Sequence, residues 1–123
     1  MSKLTEYPCK ARHRALQDTL EVIKGKWKLV IIATLLERKM RFKELSRETG
    51  ISPRILSKEL QDLEMNRLVK RTVYDTKPVA VEYEMTEYSL TLKEVIQAMM
   101  NWGANHRQEI TGKTQMPISP ILT

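Results

Sequence analysis

The spacing of apolar residues changes period along this chain, and each change marks an element. Across residues 12–24, Leu16, Leu20 and Ile23 recur at i, i+4, i+7, which predicts one stripe of an amphipathic helix. Gly25 interrupts it. Across 26–38, Trp27, Leu29, Val30, Ile31, Ile32, Ala33, Leu35 and Leu36 predict a second helix, apolar nearly all round and therefore central and buried. A short third helix is expected over 42–48, with Phe42 and Leu45 turned inward. Gly50 follows it, a residue suited to the left-handed backbone that closes a helix. Ser52-Pro53 then reads as an N-cap and a first-turn proline. The helix they open runs to about Asn66, with Leu56, Leu60 and Leu63 on one face.

The period then shortens. Residues 68–74 and 79–85 are rich in Val, Thr and Tyr and read as two strands, joined by a turn at Asp75-Thr76-Lys77-Pro78. A last helix is expected from about Thr86 to Ile110, carrying Leu92, Val95, Ile96, Met99 and Trp102. Gly112, Pro117 and Pro120 stop it. The expected fold is mainly α with a small β-hairpin wing, a winged helix-turn-helix with flanking terminal helices. Residues 1–110 form that domain and 111–123 a tail, whose Met116, Ile118, Ile121 and Leu122 are apolar enough to pack.

The fourth helix separates its charges. At 100° per residue from Leu56, Leu60 falls at about 40° and Leu63 at about −20°, a narrow seam. Arg54, Ser57, Lys58 and Gln61 fall opposite, between about 100° and 200°, while Glu59 and Asp62 lie to one flank. A solvated polar face on any amphipathic helix would look similar. Here, however, the helix follows a short helix and a glycine turn and precedes a basic hairpin, the context of a recognition helix. A helix in the major groove needs its carboxylates away from phosphates. Ser52, Pro53, Arg54, Ser57, Lys58 and Gln61 are thus candidate DNA-contact positions, with Arg54, Ser57 and Lys58 nearest the base edges. Arg41, Lys43 and Arg47, on and before the supporting helix, are candidates for phosphates. Lys77 at the wing tip and Lys70 and Arg71 at its base could reach phosphates or the minor groove.

Charge supports that reading by its location. The chain's formal net charge is +6 over 123 residues. From residue 38 to residue 77 there are eleven Lys or Arg against six Asp or Glu, so nearly all of the excess sits around the candidate recognition helix and wing. A hydrophobic fraction of 41% argues against wholesale disorder. The start of the sequence has no signal-peptide pattern, and the longest apolar run, residues 29–33, is far too short to span a bilayer. With a single cysteine, Cys9, no intramolecular disulfide can form. A cytoplasmic protein without a membrane partner is expected. Two histidines, one cysteine and no glycine-rich phosphate loop offer no catalytic constellation, cofactor site or metal site. Cys9 and His13 could share a helix face with His106 near, but solvated histidines are the simpler reading. A winged helix used for protein–protein contact is the alternative, although it would not need positive charge concentrated in this segment.

The residues resemble the HxlR-type transcriptional regulators, relatives of the MarR group. The resemblance starts at Leu20-Glu21-Val22-Ile23-Lys24-Gly25-Lys26-Trp27-Lys28. It continues through Arg41-Phe42-Lys43-Glu44-Leu45, Gly50-Ile51-Ser52, Leu56, Leu60 and Leu63-Glu64, then Leu68-Val69, Arg71-Thr72-Val73-Tyr74, Pro78, Val81-Glu82-Tyr83 and Thr86. It covers roughly residues 15–105 without a large gap. It implies a homodimer on a palindromic operator, more often repressing, with double-stranded DNA as partner and the first and last helices as the dimer interface. Leu16, Leu20, Ile23, Leu92, Val95, Ile96, Met99 and Trp102 are the interface candidates, and completing the protomer's own core is their alternative use. Three residues depart from the family pattern: Arg67 and Lys24 stand where glycines are usual, and Ser89 replaces a glycine of the last helix. Some members sense oxidants through a cysteine about thirteen residues before the tryptophan, where this chain has Arg14. Cys9, eighteen residues before Trp27, is a candidate redox sensor with Lys10, Arg12 and Arg14 supplying positive charge, and an incidental thiol is the alternative. A small-molecule or redox effector would fit the same family.

Overall fold

The computed structural model describes residues 8–112. Helix α1 spans Cys9–Ile23, three residues earlier at its start than the apolar spacing predicts. The Pro8 carbonyl accepts the Arg12 N–H at 3.0 Å and so begins the helical ladder before the first stripe residue. Helix α2, Lys28–Leu35, is shorter than expected at both ends. It buries Ile31, Ile32 and Leu35, yet leaves Val30 at the surface. Two helices follow with a tight turn between them, α3 (Phe42–Thr49) and α4 (Pro53–Met65).

The sheet has one strand more than the hairpin reading foresees. Strand β1 is only Met40–Arg41, and it pairs antiparallel with β3 (Ala80–Met85), Met40 opposite Tyr83. Strand β2 (Val69–Tyr74) takes the other side of β3 in an antiparallel register from Val69–Met85 to Tyr74–Ala80. The sheet order is therefore β1-β3-β2. The core lies where sheet and helices meet: Ile31, Leu45, Leu56 and Leu63 have no measurable exposure, and Ile51, Leu68, Val69, Tyr83 and Ile96 close around them.

The last helix starts later than predicted. Thr86 ends the hairpin and organises a 3-10 turn over Tyr88–Leu92; only then does α5 run, over Lys93–Thr111. The Thr86 hydroxyl accepts the Ser89 N–H at 3.0 Å and donates to the Arg67 carbonyl at 2.7 Å. The fully buried Ser89 hydroxyl donates to the Thr86 carbonyl at 2.7 Å, so its polar group is satisfied inside the fold. Gly112 closes α5 in the left-handed region at φ +73°. The expected tail packing of Met116, Ile118, Ile121 and Leu122 falls outside the described residues.

The other two departures resolve differently. Lys24 has ordinary extended backbone at φ −65°, and Gly25 takes the positive φ of +100°. Arg67 itself adopts φ +63°, the only non-glycine residue among those described with positive φ. That conformation brings its Cβ against the backbone and costs about 1 kcal/mol. Arg67→Gly should relieve it, partly offset by the greater freedom of glycine in the unfolded chain, for a net gain of about 0.5–1 kcal/mol. A thermal melt should move up by a few degrees. A lower midpoint would show that the arginine stem contributes more than its backbone strain costs.

Candidate nucleic-acid interface

The α3–α4 turn is held by side chains chosen for the purpose. Gly50 sits at φ +73°, and its N–H returns to the Ser46 carbonyl at 2.9 Å. The Ser46 hydroxyl donates to the Ile51 carbonyl at 2.7 Å, while Thr49 Oγ1 accepts the Ile51 N–H at 3.2 Å. Ile51, 2% exposed, anchors the turn from inside. Ser52 caps α4 by accepting the Ile55 N–H at 3.4 Å, and Pro53 takes the first helical position. The orientation of α4 is thus set by its entrance as well as by its leucine seam.

The structure places the sequence-predicted contact residues as follows. Arg54, Ser57, Lys58 and Gln61 are exposed on the side of α4 away from Leu56, Leu60 and Leu63, and Ser52 and Pro53 are exposed at its N-terminus. Arg41, Lys43 and Arg47 are exposed at and along α3. Lys77 lies in the turn between β2 and β3, where the Lys77–Pro78 bond is cis. Lys70 and Arg71 are not brought together. Consecutive strand residues point to opposite faces. Arg71 stands beside Tyr83 on the core-side face, and Lys70 stands opposite Glu84 on the other.

Two residues that composition alone does not single out shape the electrostatics. Lys28, 8% exposed at the start of α2, donates to Glu59 Oε1 at 2.6 Å and to Asp62 Oδ2 at 3.3 Å. Burial would pull the pKa of its ammonium down, but the hydrogen bonds with Glu59 and then Asp62 outweigh that and raise it. Arg38 similarly holds Glu44 at 2.7 Å, and that hydrogen bond keeps the carboxyl below its ordinary range. Glu44 of α3 and Glu59 and Asp62 of α4 are therefore each paired with a cation of the protein itself. None of Arg41, Lys43, Arg47, Arg54, Lys58, Arg71 or Lys77 makes a salt bridge among the described residues. The cations remain available to an outside anion.

Lys28→Met tests that division. It keeps the apolar stem and leaves the Glu59 carboxylate, 16% exposed, without its cation. The expected loss is about 1–2 kcal/mol of stability, read by urea denaturation. Because the folded-state pKa of Lys28 is raised, its contribution is complete below the ordinary lysine range near 10.4 and fades only as pH rises through the higher folded value. The gap between wild type and variant should therefore be flat from pH 6 to about pH 9 as far as Lys28 is concerned. No difference in stability would mean that the pair merely balances its own desolvation.

The terminal helices carry the remaining candidates. Leu16, Leu20, Val95, Met99 and Trp102 are exposed, Trp102 at 68%, whereas Ile23 and Ile96 are buried in the protomer and Leu92 packs partly against its core. Cys9 is exposed, with its Sγ 3.6 Å from His13 Nε2 one helical turn away. His106 is stacked on Trp102 at 4.8 Å between ring centroids. Among the described residues, no group of three His, Cys, Asp or Glu is placed to hold a metal ion. No helix among them is long and apolar enough to cross a membrane.

Comparison with known proteins agrees with this geometry. A family model described as HxlR-like helix-turn-helix matches residues 22–111. The HTH-type transcriptional regulator YtcD of Bacillus subtilis is 40% identical over 101 residues, covering 81% of this chain and 80% of its own. The HTH-type regulator BH0655 of Halalkalibacterium halodurans is 40% identical over 111 residues, covering 85% and 96%. Among solved structures, YtcD superposes with a TM-score of 0.71 over 76% of this chain and 96% of its own. The redox regulator HypR in its reduced form gives 0.74 at 35% identity, over 80% and 99%.

Proposed function

The chain belongs to the HxlR-like helix-turn-helix family of transcriptional regulators, and from that premise we propose that it acts as a homodimer on a palindromic DNA operator, as a repressor. The observation that carries the proposal is the outward side of α4. Arg54, Ser57, Lys58 and Gln61 face solvent together, while Lys28 draws Glu59 and Asp62 off to the flank. Such a face offers bidentate and single hydrogen bonds to base edges without a carboxylate opposing the phosphates. Arg41, Lys43, Arg47 and Lys77 supply sequence-independent phosphate contacts around it.

Dimerisation would use α1 and α5. Leu16 and Leu20 at 62% and 60% exposure, together with Val95, Met99 and Trp102, leave apolar surface that a lone protomer does not cover. Ile23 and Ile96 would support that surface from inside. Two protomers joined there would present two α4 helices to half-sites about one helical turn, roughly 34 Å, apart. The setting is the cytoplasm, with no enzymatic activity of its own. HypR, a redox regulator, supports a redox effector here also, for which the exposed Cys9 is the only thiol in the chain. With one cysteine per chain, such a response would run through an intermolecular bond or an adduct.

Selection of random duplex DNA on the purified, reduced protein tests the reading. Recovery of an inverted repeat supports a dimeric, sequence-specific regulator. Recovery of nothing above background from folded protein overturns it and points to a winged helix used for protein contact.

A further inference from the structure

The ends of α2 and α3 meet the start of α5 around a groove with a volume of about 390 Å³, within the range of small-molecule sites. Its apolar floor comes from Ala33 and Leu36 at the end of α2 and from Ile96 and Met100 of α5, with Met100 left 43% exposed. Charges of both signs stand around that floor. Glu37 follows the last turn of α2 and Glu48 lies in the last turn of α3, whereas Lys93 is the first residue of α5. All three are exposed, and no salt bridge among the described residues joins Lys93 to either carboxylate. Arg38 feels both carboxylates, but its guanidinium is held by Glu44 at 2.7 Å. The C-terminal ends of α2 and α3 carry partial negative charge of their own, which adds to the pull of Glu37 and Glu48 on a cation.

A groove divided in this way suits a ligand that brings both signs with it. An organic cation would leave Lys93 unanswered, an organic anion would face two carboxylates, and an inorganic ion would leave the floor wet. We propose that the groove binds a free apolar α-amino acid, its ammonium between Glu37 and Glu48, its carboxylate on Lys93 and its side chain on Leu36, Ile96 and Met100. The half-buried Gln97 belongs to the same lining and offers an amide to the ligand's carboxylate. A ligand as large as phenylalanine has about a dozen heavy atoms, a body that a space of this size can cover. None of the lining residues is among those assigned to DNA contact. Nor does the proposed dimer close the groove: around α5, Ile96, Gln97 and Met100 point roughly 140° away from Val95, Met99 and Trp102. Ligand binding therefore stands apart from both the DNA-binding and the dimer readings.

The test is a titration of the isotopically labelled full chain, without DNA, with L-phenylalanine, followed by amide chemical shifts. Saturable shifts at Glu37, Glu48 and Gln97 are expected, in the millimolar range or tighter. Phenethylamine keeps the ring and the ammonium, and hydrocinnamate keeps the ring and the carboxylate. Each should bind about fivefold or more weaker than phenylalanine. Two exposed substitutions then separate the ends of the ligand, both with an unchanged melting temperature. Lys93→Gln should weaken phenylalanine by about threefold or more and leave phenethylamine as it was. Glu48→Gln should weaken phenylalanine and phenethylamine alike. Absence of saturation, shifts confined to residues outside the groove, equal binding of either analogue, or undiminished phenylalanine binding by both variants would overturn the site.

Discussion

Leu56→Ala should lower the unfolding free energy by about 3 kcal/mol, within the 2–5 kcal/mol seen for buried leucines. Leu56, the fourth residue of α4, has no measurable exposure and belongs to the core cluster that also holds residues of α2, α3 and the sheet. Three carbons leave, the methine and its two methyls, and neighbours such as Leu45 and Leu60, themselves buried, have little room to collapse into the gap. For a domain whose total stability is about 5–15 kcal/mol, the loss is a large fraction. The thermal midpoint should fall by more than about 10 °C. Leu56→Met keeps the volume and should cost less than about 1.5 kcal/mol. Equal effects of the two variants would show that shape at this position matters more than volume. A small effect of the alanine variant would show that α4 can settle inward, and would weaken the view that the leucine seam fixes its orientation.

The helix-turn-helix was legible because its determinants are local. Gly50, Ser52 and Pro53 each have one conformational use at the end and start of helices, and three leucines at helical spacing state which side of α4 is buried. The outward face follows from the same arithmetic. Strand β1 was not legible, since Met40 is a single apolar residue and its partner Tyr83 lies beyond two helices and a strand. Nor was the 3-10 turn, which depends on hydroxyl bonds of Thr86 and Ser89 that no periodicity records.

Lys28 is the instructive omission. It stands at the head of an otherwise apolar helix, and its partners follow 31 and 34 residues later. Glu59 and Asp62 share one flank of α4 at i, i+3, which hints at a shared cation without saying which one. The terminal helices show a different limit. Periodicity reports that Ile23, Leu20 and Leu16 form one stripe, but not that the protomer's own core takes Ile23 and leaves the other two at the surface. The division between core and partner surface is a property of tertiary packing.

Arg54 and Lys77 should separate specificity from affinity. Arg54 is exposed in the first turn of α4 and makes no salt bridge among the described residues, so Arg54→Ala should leave the melting temperature unchanged. Against the selected operator it should cost about 1–3 kcal/mol, and the base preference at one position of each half-site should flatten, because a guanidinium on a base edge discriminates as well as binds. Lys77 lies at the wing tip, away from α4, where a flexible ammonium acts as a point charge. Lys77→Ala should weaken matched and mismatched sites alike, and reduce the slope of log affinity against log salt by about one unit per protomer. Both quantities come from titrations of one operator and its single-base variants over a range of salt. Uniform weakening by Arg54→Ala would move that residue to the phosphates. A changed base preference with an unchanged salt slope for Lys77→Ala would place the wing in a groove, reading sequence.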